Sequence, residues 1–424
     1  MEKQKPSLTN NSALTRRVFF WNAAGSFTNA LSSVFLLAIV TRVLGPVQGG
    51  IFTIAFALAQ QLLTVSNFET GTYYVTDAKN KIGFDVHIAA KLLLFFISLA
   101  AAVVIALTKY APYKAAVVVL LCIFKGADAF SGLFSAFLQR QGRLDIAGKS
   151  LTMRMLFSLI LFSVVIIISK DLIVSAAACI IFSVFWLVFY DIRYVKTFTK
   201  LNARWDIKLI ISLIAGCLPM FLGTFLLTYI INQPKYVIDA LLDEVTQNKF
   251  GIIFMPSAVI CLLGMFIYRP LLTSLTDVWK DKQHFGFLFE ILKIAGIIFG
   301  LTVLCTVAAR FLGIPVLSFI YGENLDGLEA QLCMIILGGG MYGLSMLLYN
   351  AIVIMRHQYV MLVAYIITYI LSLAITSPLV QNYDISGASA SYLISTTILA
   401  FLMAGMFLFY VFFERRKSVK EENR

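Results

Sequence analysis

"LLCIFKGADAFSGLFSAFLQ", residues 120–139, has the length and apolarity of a membrane-spanning helix, yet Lys125 and Asp128 stand at its middle. Each costs about 2.5–3.5 kcal/mol at the centre of a span on insertion scales. Three residues apart, they share one helix face and partly neutralise one another. Lys125 lies about eleven residues, some 16 Å at 1.5 Å per residue, from the outer end of its helix, too deep for an easy snorkel. The stretch therefore reads as a span with one face turned away from lipid.

Composition extends that reading to the whole chain. Of 424 residues, 60% are hydrophobic and only 13% charged, against about 25% charged in a soluble domain. The apolar runs are about 20 residues long, which selects an all-α polytopic membrane protein over a barrel of short alternating strands. Twelve helices are expected near 18–41, 47–67, 86–108, 114–138, 148–169, 172–192, 207–231, 248–270, 287–310, 328–354, 358–379 and 385–412. The polar start leads into a full-length span, so the first helix is expected to stay uncleaved. No connection is long enough to hold a soluble catalytic domain, and an enzyme is not expected. The six cysteines fall in apolar runs without CxxC spacing. They read as buried structural thiols, not metal ligands or disulfides.

Basic residues set the orientation. Of the 34 Lys and Arg, 23 fall in the tails and in the connections that follow even-numbered helices; seven fall in the opposite connections. Both termini are then expected in the cytoplasm. The net charge of +12 is accounted for by topology anchors and contacts with anionic lipid, without nucleic acid. The basic stretch near mid-chain divides six helices from six. The expected organisation is a cytoplasmic N-tail (1–17), an N-lobe (18–192), a cytoplasmic linker (193–206), a C-lobe (207–412) and a cytoplasmic C-tail (413–424). A weak internal repeat supports duplication: "QGGIFTIAFAL" (48–58) and "KFGIIFMPSAV" (249–259) share Gly50/Gly251, Ile51/Ile252 and Ala57/Ala258.

Polar residues recur at helical spacing in several spans: Asn22, Ser26, Asn29 and Ser33; Thr53, Gln60, Thr64 and Asn67; Asp128, Ser131 and Ser135; Tyr342, Ser345 and Tyr349; Tyr365, Thr368, Ser372 and Thr376. Any one stripe is explained by hydrogen bonds across helices. Together they predict a wet central cavity, with Asn22, Asn29 and Gln60 among its lining. Lys91, Glu290 and Lys293 are expected to snorkel near cytoplasmic helix ends. Arg154 offers a rigid donor fork suited to phosphate. Two readings of Lys125 and Asp128 stand: a structural ion pair, or a site for a substrate headgroup or coupling ion. Gly216, Pro219 and Gly223 predict a hinge in the seventh helix. "GRLDIAGKS" (142–150) has five residues between its glycines where a phosphate loop needs four, so no nucleotide engine is expected. His87, His284 and His357 are placed at cytoplasmic loops, with no catalytic pair apparent.

With these residues in view, the chain resembles the oligosaccharide flippases, the polysaccharide-transporter branch of the multidrug/oligosaccharidyl-lipid/polysaccharide (MOP) superfamily. The resemblance rests on "AIVTRVLGPVQGGIFTIAFAL" (38–58), "NFETGTYYVTDAKNK" (67–81), "FLGIPVLSFIYGENLDGLEAQL" (311–332) and "YDISGASASYLIS" (383–395), in that order along the chain. It implies a MATE-like pair of six-helix bundles around a central cavity, working by alternating access in a prokaryotic cell membrane. The implied cargo is an undecaprenyl-pyrophosphate-linked oligosaccharide for surface-polysaccharide assembly, with anionic lipids and polysaccharide assembly proteins as partners. Arg42, in the turn between the first two helices, is the only residue it carries over. Lys125 would then meet the diphosphate and Asp128 would hold it charged. No cofactor is implied; sodium, protons or the membrane potential are the candidate drives. The alternatives are an ion-coupled multidrug antiporter and, from another class, a membrane glycan polymerase or acyltransferase. In a cysteine-free background, an impermeant thiol reagent applied to intact cells should miss a cysteine at Lys196 and label one at Asp239. Labelling at 196 would invert the topology.

Overall fold

The computed structural model describes residues 12–77 and 81–422; most of the expected N-tail (1–11) and the last two residues of the C-tail lie outside them. Among the described residues there is no strand, and eleven continuous helices are long and apolar enough to cross a membrane. They are α1 (Ser12–Leu44), α2 (Pro46–Asn67), α3 (Phe84–Lys109), α4 (Pro112–Arg140), α5 (Leu144–Ser169), α6 (Leu172–Lys196), α7 (Ile207–Leu241), α8 (Glu244–Lys280), α9 (His284–Tyr321), α10 (Glu329–Ile354) and Met361–Glu422. The last turns sharply at Asp384, where φ is 48° and ψ −126°. Its arms, α11 (361–383) and α12 (385–422), answer to the eleventh and twelfth expected spans.

Local chemistry places the breaks. Gly45 adopts φ 88°, which a side chain disfavours, and turns α1 into α2. The Asp171 carboxylate accepts from the Ile173 N–H at 2.7 Å and caps α6. Asp243 does the same for α8 through the Thr246 N–H at 2.8 Å. Gly322, at φ 69°, ends α9 with its N–H on the Ser318 carbonyl.

Two stretches differ from expectation. α7 continues past 231 to Leu241, with Asn232 and Lys235 partnered along its polar run. The Asn232 amide donates to the Thr228 carbonyl at 3.1 Å, and the Lys235 ammonium donates to Asn232 Oδ1 at 3.1 Å while lying 4.1 Å from the Phe254 ring centre. Asp239, expected in an outer loop, lies in this helix with one carboxylate oxygen buried; exposed Asp243 is the better labelling position. α9 likewise runs on to Tyr321, through a π-helical segment at Ala309–Gly313, where the ninth helix was expected to end near 310.

By contacts the chain forms two compact units, one of residues 1–44 and 55–221, the other of 45–54 and 222–424. The expected lobes met at 193–206; here the first half of α7 groups with the first unit and the first turns of α2 with the second. The first unit packs Tyr74, Phe134, Phe137, Ile146 and Val195 into one core. Its α1 and α5 meet closely, since a Cβ on Gly148 would stand 2.8 Å from the Trp21 backbone. The second unit is built on Phe287, Ile291, Ile294, Leu347, Met403 and Phe407. In α10 the run Gly338–Gly339–Gly340 faces Tyr392, Ser257 and Thr302 in turn, so α12, α8 and α9 all approach its backbone.

Gly50 and Gly251, the repeat-related glycines, occupy one helix crossing. Gly50 lies against the Glu244 backbone, and Gly251 against Thr53. No Cβ fits at Gly50. Gly50→Ala should destabilise the purified protein by about 1–3 kcal/mol, read as a lower thermal midpoint in detergent. Gly300→Ala, whose Cβ would meet nothing within 4 Å, should stay within about 0.5 kcal/mol. Equal midpoints for the two variants would refute the crossing.

Candidate functional site

Lys125 and Asp128 do not form a closed pair. The Lys125 ammonium donates to Asp128 Oδ2 at 3.0 Å, and Arg154, from α5, donates through Nη1 to Asp128 Oδ1. The side chains of Lys125, Asp128 and Arg154 are only 7, 11 and 3% exposed. One carboxylate thus serves two buried cations. The ammonium also sits 4.9 Å from the ring centre of Phe56 and 5.5 Å from that of Phe124, so aromatic faces take up part of its remaining charge. Arg154 Nε is buried with no hydrogen-bond partner. The triad carries a surplus positive charge and a donor left over.

A second carboxylate, Asp191, stands close by and was not singled out from the sequence. Asp191 is buried, accepting from Ser131 Oγ at 2.7 Å and from Ser150 Oγ, which in turn accepts from Trp186 Nε1 at 3.0 Å. Asp191 belongs to a π-helical segment, Leu187–Ile192, that widens α6; such segments occur often at functional sites. Followed by Arg193 and Lys196, it reads as the start of a basic linker. The available signal was its spacing within an apolar helix. Ser131 stands one turn from Asp128 on α4, so the second carboxylate is held one helical turn from the triad.

The other predicted lining residues stand apart from this network. The Asn22 amide donates to the Val18 carbonyl at 2.7 Å and to the Leu144 carbonyl at 3.3 Å, joining α1 to the start of α5. Asn29 is exposed and Gln60 half-buried, and neither bonds to the triad. Arg42 is exposed in the last turn of α1. Gly216, Pro219 and Gly223 do not interrupt α7, which is one helix from Ile207 to Leu241. The boundary between the compact units does fall between Pro219 and Gly223, at 221/222. Gly216 packs on the Tyr73 ring, and Gly223 faces Tyr365.

Several stripe hydroxyls turn back on their own helix: Thr53 to Gly49, Thr64 to Gln61, Ser345 to Met341 and Ser372 to Tyr369. Such back-bonding commits the one hydroxyl donor of each and leaves it only as an acceptor toward a ligand. Lys91 does not snorkel. It is 1% exposed and donates to the Ser66 and Asn67 carbonyls at 3.1 and 3.2 Å, placing a cation at the negative end of α2. His87, expected in a loop, is fully buried in the first turn of α3, with Nδ1 3.0 Å from the Gly83 carbonyl. His284 is buried as well. Lys293 is exposed.

No protein-family model and no curated protein matches the chain. Solved structures do. A multidrug resistance MATE family transporter of the MOP superfamily, in an inward-facing conformation, is 13% identical with a TM-score of 0.62, over 97% of this chain and 98% of its own. A MOP superfamily transporter from Pyrococcus furiosus, described as having a binding pocket of reverse polarity, is 13% identical with a TM-score of 0.59, over 94% and 95%. The Vibrio cholerae MATE transporter VcmN in its bent form is 14% identical with a TM-score of 0.54, over 94% and 97%. The fold is that of the MATE-type transporters of the MOP superfamily.

The shared carboxylate makes a specific stability order. Asp128→Ala strands two buried cations and should cost about 3–5 kcal/mol, whereas Lys125→Met leaves the Arg154–Asp128 bond and should cost less. Lys125→Leu/Asp128→Leu should not recover wild-type abundance, because Arg154 is then unpaired. Adding Arg154→Met should restore it. Thermal challenge followed by size-exclusion chromatography ranks the four, and full recovery in the double variant would remove Arg154 from the network.

Proposed function

We propose that the chain is a flippase that carries an anionic lipid-linked oligosaccharide, on an undecaprenyl-pyrophosphate carrier, from the inner to the outer leaflet for surface-polysaccharide assembly. The observation that carries the reading is the triad. Two buried cations share one carboxylate, and Arg154 keeps a buried donor unengaged. A diphosphate offers oxygens for such donors and neutralises the surplus charge. Lys91 and Lys235 add buried cations in other helices, so the spanning helices favour an anionic cargo over a cationic one. The lipid tail would remain in the bilayer. Alternating access would expose the site to each side in turn, in a prokaryotic plasma membrane with both termini cytoplasmic. Sodium, protons or the membrane potential would drive it. Anionic lipids and polysaccharide assembly proteins would be its neighbours.

A second reading is an ion-coupled multidrug antiporter, favoured by the multidrug resistance MATE family transporters among the structures of similar fold and by the second buried carboxylate, Asp191, beside the triad. The reverse-polarity pocket ascribed to the Pyrococcus protein supports the view that this fold accommodates opposite cargo charges.

Reconstituted vesicles separate the two. Fluorescent undecaprenyl-pyrophosphate oligosaccharide should become accessible in the opposite leaflet, and Arg154→Met should slow this at least tenfold per folded molecule. Ethidium efflux with no movement of the lipid-linked sugar would establish the antiporter instead.

A further inference from the structure

The first unit holds a cleft of about 470 Å³ bounded by the end of α2, the short helix Thr70–Thr76, α3 and the last turns of α4. Asn67, Glu69, Thr72, Lys91, Ser135 and Gln139 supply its polar lining, while Gly132, Leu133 and Ala136 leave a small-residue apolar patch on α4. Its volume is in the range of small-ligand sites.

Its charge differs from that of the triad. Lys91 is buried and committed to three oxygens: the Ser66 and Asn67 carbonyls at 3.1 and 3.2 Å and, weakly, Asn67 Oδ1 at 3.5 Å. Glu69 acts electrostatically on that ammonium, and its Oε2 accepts from Thr72 Oγ1 at 2.7 Å. Phe68 and Glu69 both hold left-handed backbone, at φ 43° and 54°, where the chain leaves α2. A phosphate entering here would meet a carboxylate and an ammonium already engaged. A neutral ligand with many hydroxyls fits better. The hydroxyls and amides lining the cleft both donate and accept, and the apolar patch on α4 can receive the C–H face of a ring.

The placement along α4 joins cleft and triad. Asp128, Gly132, Ser135 and Gln139 follow at spacings of 4, 3 and 4, along one helix face. Ser135 is seven residues from Asp128, roughly 10 Å at 1.5 Å per residue.

We infer that this cleft binds a neutral sugar ring of the cargo, with the triad holding the attached phosphate about two helical turns away. The inference rests on the flippase reading for its cargo but is testable by binding alone.

The test uses the full-length protein in detergent, saturation-transfer NMR, and three free sugars at millimolar concentration: galactose, rhamnose and N-acetylglucosamine. At least one should give a saturation signal that the others compete away. Gly132→Leu should abolish it, because a Cβ there meets only Asn67 Oδ1 at 3.9 Å and the longer side chain has room to fill the cleft. Gln139→Ala should weaken it about tenfold, the scale of a lost hydrogen bond; it also serves if the leucine variant does not fold. Gly300→Ala should leave it unchanged. No sugar signal, or one indifferent to both cleft variants, overturns the inference. So does a pyrophosphate signal that Gly132→Leu removes, which would make the cleft an anion site. Sugar binding without movement of lipid-linked sugar in vesicles would sink the flippase reading and leave the cleft standing.

Discussion

A helix in hydrocarbon has no water to take its hydrogen bonds, and that constraint shapes this chain throughout. It allows a 35-residue α7 to run through Asn232 and Lys235 without a break, because these polar side chains find partners on the same helix or over an aromatic ring. It turns threonine and serine hydroxyls back onto carbonyls one turn earlier. It also gives the buried charges of the first unit polar partners. Asp128, Asp191, Lys125 and Arg154 each lie where another group lowers the cost of desolvation.

The helix count and order were legible in the sequence because they depend on length and apolarity, which are local properties. The break between α11 and α12 was legible too, at "YDISG", although the backbone there only turns at Asp384 and does not form a loop. Element ends fared worse. Lys235 and Asp239 look like loop residues until Asn232 and Phe254 are known to stand beside the ammonium. Lys91 looks like a snorkelling cation until the end of α2 is placed over it. Lys235 over Phe254 and Lys91 on the end of α2 are contacts between residues distant in sequence, and no periodicity announces them.

The site divides along the same line. Lys125 with Asp128 was readable from i, i+3 spacing on one helix. Arg154 was readable as a cation in a span, but not as the second claimant on Asp128, since that bond joins two helices. Asp191 was missed because a carboxylate followed by basic residues resembles the edge of a span. The polar stripes did not show which hydroxyls donate to their own helix, since hydropathy does not distinguish a hydroxyl facing water from one bonded to its own backbone.

The π-helical segment at Leu187–Ile192 has a consequence for insertions and deletions. A π turn holds one residue more than the α turn it replaces. Removing one residue from it would let α6 close into regular α geometry with the helix before and after the segment still in phase. Asp191, inside the segment, is then the residue whose direction toward Ser131 and Ser150 changes, while the basic stretch after it and the apolar helix before it keep theirs. The register of the carboxylate is thus set independently of the span that carries it. A one-residue deletion there is a sharper way to separate the second carboxylate from the first than any substitution at Asp191.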